Sequence, residues 1–241
     1  MKIALIGYGK MGKEIEQIAI GRGHEVILRA DREQLKQAVL PALESADVAI
    51  EFSSPDSAPG NILRCFQAHV PVVCGTTGWL SRLDEIQTAC KAADTAFFYA
   101  SNFSVGVNIF FQLNRYLAAM MERYETYTPS LEEIHHIHKK DSPSGTGITL
   151  AEGILKEISR KKTWAEGDST DPSVLSIHSK REGEVPGTHI ITYQSPIDDI
   201  QISHVAHNRK GFALGAVIAA EWIQGKKGVH GMNDLLGFPP Q

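Results

Sequence analysis

The sequence predicts an α/β protein: an N-terminal doubly wound parallel sheet, then an α+β domain with a mixed sheet. Three observations carry this. Short apolar runs alternate with helix-patterned segments through the first hundred residues, the order that builds parallel sheets. A glycine-rich turn stands between the first strand and the first helix. In the second half, strand patterns follow one another in a run, which indicates a separate α+β domain.

Ile3 to Ile6 is a short apolar run ending in Gly7-Tyr8-Gly9-Lys10-Met11-Gly12, a GxGxxG. Met11, Ile15, Ile18, Ala19 and Arg22 then fall at helical spacing. Glycines between a strand and a helix are the setting that dinucleotide binding requires. Gly7 allows the tight turn, Gly9 lets a pyrophosphate approach the backbone, and Gly12 lets the helix pack closely. A second strand, Glu25 to Ala30, ends at Asp31, where an acid takes the ribose hydroxyls. Together these define a Rossmann-type half. An acid favours NADH, whereas Arg32 or Arg29 could pair with the 2′-phosphate of NADPH, so the cofactor is expected to be NADH or NADPH without sharp preference.

The alternation continues with a strand at Asp47 to Phe52, a helix at Asn61 to Ala68 and a strand at Pro71 to Cys74. A helix at Leu80 to Ala92 and a strand at Ala96 to Ala100 complete it. Ligands bind outside the carboxyl ends of such strands. The turns Phe52-Ser53-Ser54-Pro55 and Gly75-Thr76-Thr77-Gly78 lie there, and the small residues of the second let a flat ring approach the backbone. Beyond Asn102-Phe103-Ser104 a helix is expected over Val105 to Tyr124, with Val105, Ile109, Leu113, Leu117 and Met120 at helical spacing. Further strands are expected at Leu131 to His138, Val174 to Lys180, Thr188 to Ser195 and Asp199 to His207. Helices are expected at Ile148 to Ile158 and Phe212 to Gln224, with 164–168 a surface connection and 228–241 an irregular tail.

Composition bounds the function. With 241 residues, 42% hydrophobic and 22% charged, the chain can bury a proper core in one or two domains. A net charge of −4 gives no electrostatic case for nucleic acid. No apolar run could cross a bilayer and the N-terminus has no signal-peptide pattern, so no membrane association is expected and a cytoplasmic location is. Cys65, Cys74 and Cys90 lack metal-ligand spacing and read as buried small side chains in a reducing compartment.

The densest chemistry is Glu133 to Thr146, EIHHIHKKDSPSGT. Strand alternation turns His135 to the same face as Glu133 and Ile137, and His136 and His138 to the other. Ser142 to Thr146 reads as a turn feeding a helix, with Ser144 or Thr146 as cap. Unpaired amides at a helix start bind anions, and Lys139 and Lys140 add positive charge. A small carboxylate substrate that also needs a proton suits such a pocket. His136 and His138 could chelate a metal with a third ligand, but the adjacent lysines repel a cation and no metal is expected. His204, His207 and His230 carry no pattern beyond surface or packing roles.

On these residues the chain resembles the 4-hydroxy-tetrahydrodipicolinate reductase (dihydrodipicolinate reductase) family. The EIHHIHKKDSPSGT block carries the resemblance, with GYGKMG, Gly75 to Gly78, SNFSVGVN at Ser101 to Asn108 and HVAHNRKGFALGA at His204 to Ala216. The resemblance implies NAD(P)H-dependent reduction of 4-hydroxy-tetrahydrodipicolinate to tetrahydrodipicolinate in lysine and diaminopimelate biosynthesis. It implies His135 as general acid or beside the proton path and Lys139 as proton donor. His136, Lys139, Ser144, Gly145 and Thr146 would hold the substrate carboxylates. The cofactor would lie on Gly7, Gly9, Lys10, Met11 and Gly12, with Asp31 and Arg32 at the ribose. Gly75, Thr76, Thr77, Ala100, Asn102 and Phe103 would flank the nicotinamide. Arg209 matches an arginine of the family motif, with no role assigned.

The family also implies a homotetramer built through the C-terminal sheets and a last helix returning to the first domain. Residues 1–101 and 208–241 would then bind the dinucleotide, and 102–207 the substrate and the other subunits. Hinge closure is expected near Asn102 and His207 to Arg209. The chain departs from the family at Ile137, at Ser142 and at Thr188. None of these touches the acid, the lysine or the helix start, although Thr188 bears on the tetramer contacts. Two rivals share the Rossmann half: another small-substrate dehydrogenase, such as one acting on an amino acid, and a dinucleotide-sensing regulator. Neither needs the histidine-lysine block.

Overall fold

The computed structural model describes residues 1–31, 40–208 and 210–238, so the expectations placed on Arg32 and Arg209 lie outside the described residues. The chain divides into two compact units, Met1–Val105 with Lys210–Gln241, and Gly106–Arg209.

The first unit opens with β1 (Lys2–Ile6), α1 (Lys10–Gly21) and β2 (Glu25–Ala30). A short helix α2 (Leu40–Leu43) precedes β3 (Val48–Glu51), α3 (Ala58–Gln67) and β4 (Val72–Cys74). Then come α4 (Leu83–Ala92), β5 (Ala96–Tyr99) and the start of α5 (Val105–Met121). Every described pairing in this sheet is parallel, in the order β11-β5-β4-β3-β1-β2, where β11 is Gly228–His230. The strands are buried on both faces, so they read as continuous apolar runs. Alternate residues serve opposite layers: Ile3, Leu5 and Ile50 pack with Ala216, Val217 and Ala220, while Ala4, Ile6 and Ala49 pack with Ile62, Phe66 and Ile86. The three cysteines are free and buried, as their apolar setting suggested.

The second unit contains most of α5, β6 (Thr128–His135), α6 (Gly145–Glu157), β7 (Thr163–Glu166), β8 (Val174–Arg181), β9 (Thr188–Gln194) and β10 (Asp199–Val205). Its sheet, β10-β9-β6-β8-β7, is mixed: β6, β8 and β7 run parallel, and β9 is antiparallel to β6 and β10. Leu131, Ile177, Ile191 and Tyr193 on one face meet Phe110 and Leu117 of α5 and Leu150 and Ile154 of α6. The chain then returns to the first sheet through α7 (Lys210–Trp222), β11 and α8 (Met232–Leu236).

Four expectations change. Residues 163–166 form an edge strand rather than a surface connection, because Thr163 to Glu166 pair in parallel with β8. The tail is ordered: Gly228 to His230 extend the first sheet beside β5, and Asp234 accepts from the Gly231 amide at the start of α8. β6 stops at His135, three residues early, because His136 to Lys139 close a turn and the Ile137 amide donates to Gly183 instead. Ile137 is therefore exposed, not on the buried face with His135. On α5 the spacing that begins at Val105 is only partly right. Leu117 is buried and Val105 packs on the first core, but Ile109, Leu113 and Met120 are exposed, while Val107, Phe110 and Met121, outside that spacing, are buried. That helix is apolar nearly all round, so periodicity alone cannot choose its inner face.

Candidate active site

In the second unit the end of β6 meets the start of α6. Alternation along β6 buries Glu133 and His135 on one side, as the sequence implied. Ser144 is the cap of α6, its hydroxyl accepting from the Gly147 amide at 3.0 Å. The helix start is not simply open, however. Glu133, fully buried, accepts from the Ser144 amide at 3.0 and 3.1 Å and from the Ser144 hydroxyl. A carboxylate at a helix N-terminus opposes the positive end of the helix dipole. The amides of Gly145 and Thr146 are what the turn offers to a second anion, and a Cβ on Gly145 would meet nothing within 4 Å.

Around Glu133 stand His135 Nδ1 at 3.7 Å, His189 Nε2 at 3.7 Å and Arg181 Nη1 at 3.5 Å. Burial pushes the Glu133 carboxyl up, but donation from His189 and from the Ser144 side chain and amide outweighs it and holds the group at about 2. His135 goes the opposite way from an ordinary histidine. Burial outweighs the attraction of Glu133, and the charges of His189, Lys139 and Arg181 add to it, taking the imidazole down to about 4. His135 is therefore neutral at pH 7. Its ring meets that of His189 edge-on at 5.1 Å, and Gly187 lies close enough that a Cβ there would stand 3.2 Å from His135 Nε2.

Lys139 follows the turn and places its ammonium on both oxygens of Asp141, at 2.8 and 2.7 Å. That contact holds the Asp141 carboxyl below its usual range. Arg181 ties the same segment down by donating to the Asp141 carbonyl at 2.6 Å. His136 is half-buried with its ring 6.0 Å from that of His138, which is exposed beside Glu184. The strand-face pairing of His136 and His138 thus dissolves into a turn. Among the described residues, the ligand atoms that converge within 4.8 Å are those of Glu133, His135 and His189. Glu133 there already takes the Ser144 donors and faces Arg181, so the group reads as a hydrogen-bonded carboxylate. Sequence reasoning placed Glu133 on the right face but gave it no role, and it missed His189 and Arg181.

The first unit presents its own cleft at the carboxyl ends of β1, β3 and β4. Gly7 has φ +91°, and a Cβ on it would lie 2.0 Å from the Phe52 carbonyl oxygen. A Cβ on Gly12 would lie 2.4 Å from the Gly7 oxygen, whereas one on Gly9 would meet nothing within 4 Å. The three glycines thus divide the work as the spacing implied: turn, open approach, close packing. Gly9 also caps α1 with no side chain on the helix amides and no acidic residue in the first turn, which fits a pyrophosphate. Lys10 is exposed at that turn, and Asp31 is exposed at the end of β2. Arg29 is held by Glu16, donating at 2.6 Å, so it is engaged within the protein.

Met11, Phe52, Ser53, Pro55, Gly75, Thr76 and Thr77 line a cleft of about 290 Å³. The flat ring that lies against the Gly75 backbone is that of Phe52, because a Cβ on Gly75 would fall 2.1 Å from it. The Phe52 and Phe103 rings meet tilted at 5.6 Å, and Ala100 is buried in the same core cluster. Asn102 accepts from the Ser104 amide at 2.9 Å. Thr76 is buried, its hydroxyl accepting from the Ser53 amide at 2.8 Å.

Comparison with known proteins follows the same division. Residues 1–103 match the family described as dihydrodipicolinate reductase, N-terminus, and residues 106–236 match its C-terminus. A 4-hydroxy-tetrahydrodipicolinate reductase of Christiangramia forsetii is 51% identical over 98% of both chains. One from Methanoregula boonei is 34% identical over 90% of this chain and 83% of its own. A dipicolinate-bound dihydrodipicolinate reductase from Paenisporosarcina has the same fold, with a TM-score of 0.76 at 20% identity over 97% of this chain and 98% of that one. The aspartate dehydrogenase of Thermotoga maritima, at 12% identity and a TM-score of 0.50 over 94% and 97%, shares the general architecture alone. The chain belongs to the dihydrodipicolinate reductase family, NAD(P)H-dependent oxidoreductases that reduce 4-hydroxy-tetrahydrodipicolinate.

Proposed function

We propose that the turn from His135 to Thr146 both holds the substrate and delivers its proton in the reduction of (2S,4S)-4-hydroxy-2,3,4,5-tetrahydrodipicolinate to (S)-2,3,4,5-tetrahydrodipicolinate. The amides of Gly145 and Thr146 at the α6 N-terminus, with His136 and Lys139, form the cradle for the carboxylates, and Ser144, whose own donors go to Glu133, fixes the turn that presents them. Bound NADH or NADPH supplies hydride, held on Gly7, Gly9, Lys10, Met11 and Gly12, with Asp31 and Arg32 at the ribose. Gly75, Thr76, Thr77, Ala100, Asn102 and Phe103 form the wall at the nicotinamide.

After loss of water the substrate is a conjugated imine, and the ring carbon beside the one reduced must take a proton. The observation that carries the assignment is the burial of His135, which lowers it to about 4 and leaves it neutral at working pH. Lys139, an ammonium tethered by Asp141, is then the proton donor, and His135 stands beside the path. Replacing Lys139 with alanine should lower kcat by roughly two to four decades, the usual cost of losing a general acid. The matching His135→Asn variant should lose less. Near-full turnover in the lysine variant would remove Lys139 from the mechanism.

The same reading places the enzyme in the cytoplasm, in keeping with three buried free thiols, and assembles it as a homotetramer through the second sheet. The β10 edge supports this, with Ile200 and Val205 38% and 52% exposed along it. No helix among the described residues is long and apolar enough to cross a membrane.

A further inference from the structure

Glu51 is the last residue of β3 and is fully buried. It pairs in register with Cys74 at the end of β4. Three donors converge on its carboxylate. The Ser53 hydroxyl and the Asn61 amide, the latter at 3.2 Å, reach Oε1, and the Cys74 thiol reaches Oε2 at 3.2 Å. All three are neutral, and no ion pair to Glu51 is formed among the described residues. Each can donate to the carboxyl oxygens. Burial, and after it the charge of Glu51, pushes the Cys65 and Cys74 thiols up, so both stay protonated and neutral.

A buried charge with no counter-charge is costly, and hydrogen bonds alone repay little of that cost. Its neighbours in sequence explain where it could act. Phe52 and Ser53 follow Glu51, Gly75 and Thr76 follow Cys74, and all four line the cleft. The Ser53 hydroxyl donates to Glu51 while its amide donates to Thr76, so the carboxylate is one hydrogen bond behind the wall.

We propose that Glu51 is a positioning residue whose negative charge favours the oxidised nicotinamide over the reduced one. Hydride transfer to substrate would remove one proton with two electrons from a neutral dihydropyridine ring and leave that ring a cation. A fixed negative charge behind the cleft wall stabilises the cation and not the neutral ring. Hydride donation is thereby assisted. A partly screened charge behind the wall is expected to change the ratio about tenfold. The proposal rests on the reading of this cleft as the nicotinamide site.

The test is the dissociation constants of NAD⁺ and NADH, by calorimetry and nicotinamide fluorescence, for the wild type, Glu51→Gln and Glu51→Asp. Glutamine keeps the shape and removes the charge. It should weaken NAD⁺ about tenfold while leaving NADH within about twofold, and aspartate should keep the wild-type ratio. Equal weakening of both forms, or no change in either, would make Glu51 purely structural and overturn the proposal. If Glu51→Gln melts below the assay temperature, the double variant Glu51→Met with Asn61→Leu removes charge and donor together and is read in the same way. Wild-type protein that binds neither form would overturn the cofactor cleft itself along with this inference.

Discussion

Glu133 shows how a single buried carboxylate can order a site. It fixes Ser144 at the start of α6 and draws His135, His189 and Arg181 around itself. The cluster also sets the protein's response to acid. Folded His135 stays neutral down to about 4, whereas the unfolded imidazole protonates near 6.5, so the unfolded chain binds more protons between those values. Stability should fall as pH drops from about 6.5 to about 4, by about 3 kcal/mol from this residue. Glu133, at about 2 against 4.5, contributes stability that is present above 4.5 and lost as pH falls further. Urea titrations at stepped pH should therefore show a steep upper limb that flattens in His135→Phe, and an unchanged slope in that variant would contradict the assignment. The sequence showed His135, Lys139 and Ser144 because they crowd one segment. Glu133 was visible only as a residue on the His135 face. His189 comes from β9, a strand with no sequence proximity to that segment, and nothing local to it signals a partnership.

At the scale of elements, glycines record where backbone and side chain meet. A Cβ on Gly147 would stand 2.6 Å from Glu133 Oε2, and that oxygen is pinned by Ser144 rather than free to swing away. Gly147→Ala should thus destabilise the protein by about 1–3 kcal/mol, as overpacking does, and lower turnover with it. A melting temperature equal to wild type would show that Glu133 moves without cost. In the first unit, Gly12→Ala brings a Cβ to 2.4 Å from a backbone oxygen, so calorimetry should show dinucleotide affinity lost together with stability. Strand and helix order in this unit was legible because parallel strands read as pure apolar runs between amphipathic helices. The edge strands β7 and β11 were not, since four and three residues make no periodicity. The inner face of α5 was hidden for the reason opposite to that: too many apolar residues, with Ile109, Leu113, Tyr116 and Met120 left outside.

The whole molecule comprises two units, joined where Val105 passes into Gly106 and where 209 passes into Lys210. The residues proposed to hold the cofactor belong to the first, and the histidine-lysine turn belongs to the second. Hinge closure near Asn102 and His207 to Arg209, expected from the sequence, is open to a direct test. Solution scattering should show a smaller radius of gyration with cofactor and substrate together than with neither, and identical profiles would count against closure. The reaction itself is measured by mixing the protein with NADH, and separately NADPH, and substrate made in place from pyruvate and aspartate semialdehyde by the corresponding synthase. The account predicts loss of the nicotinamide absorbance that depends on the synthase, abolished in Lys139→Ala. Bound dinucleotide with no synthase-dependent loss from either cofactor would contradict it.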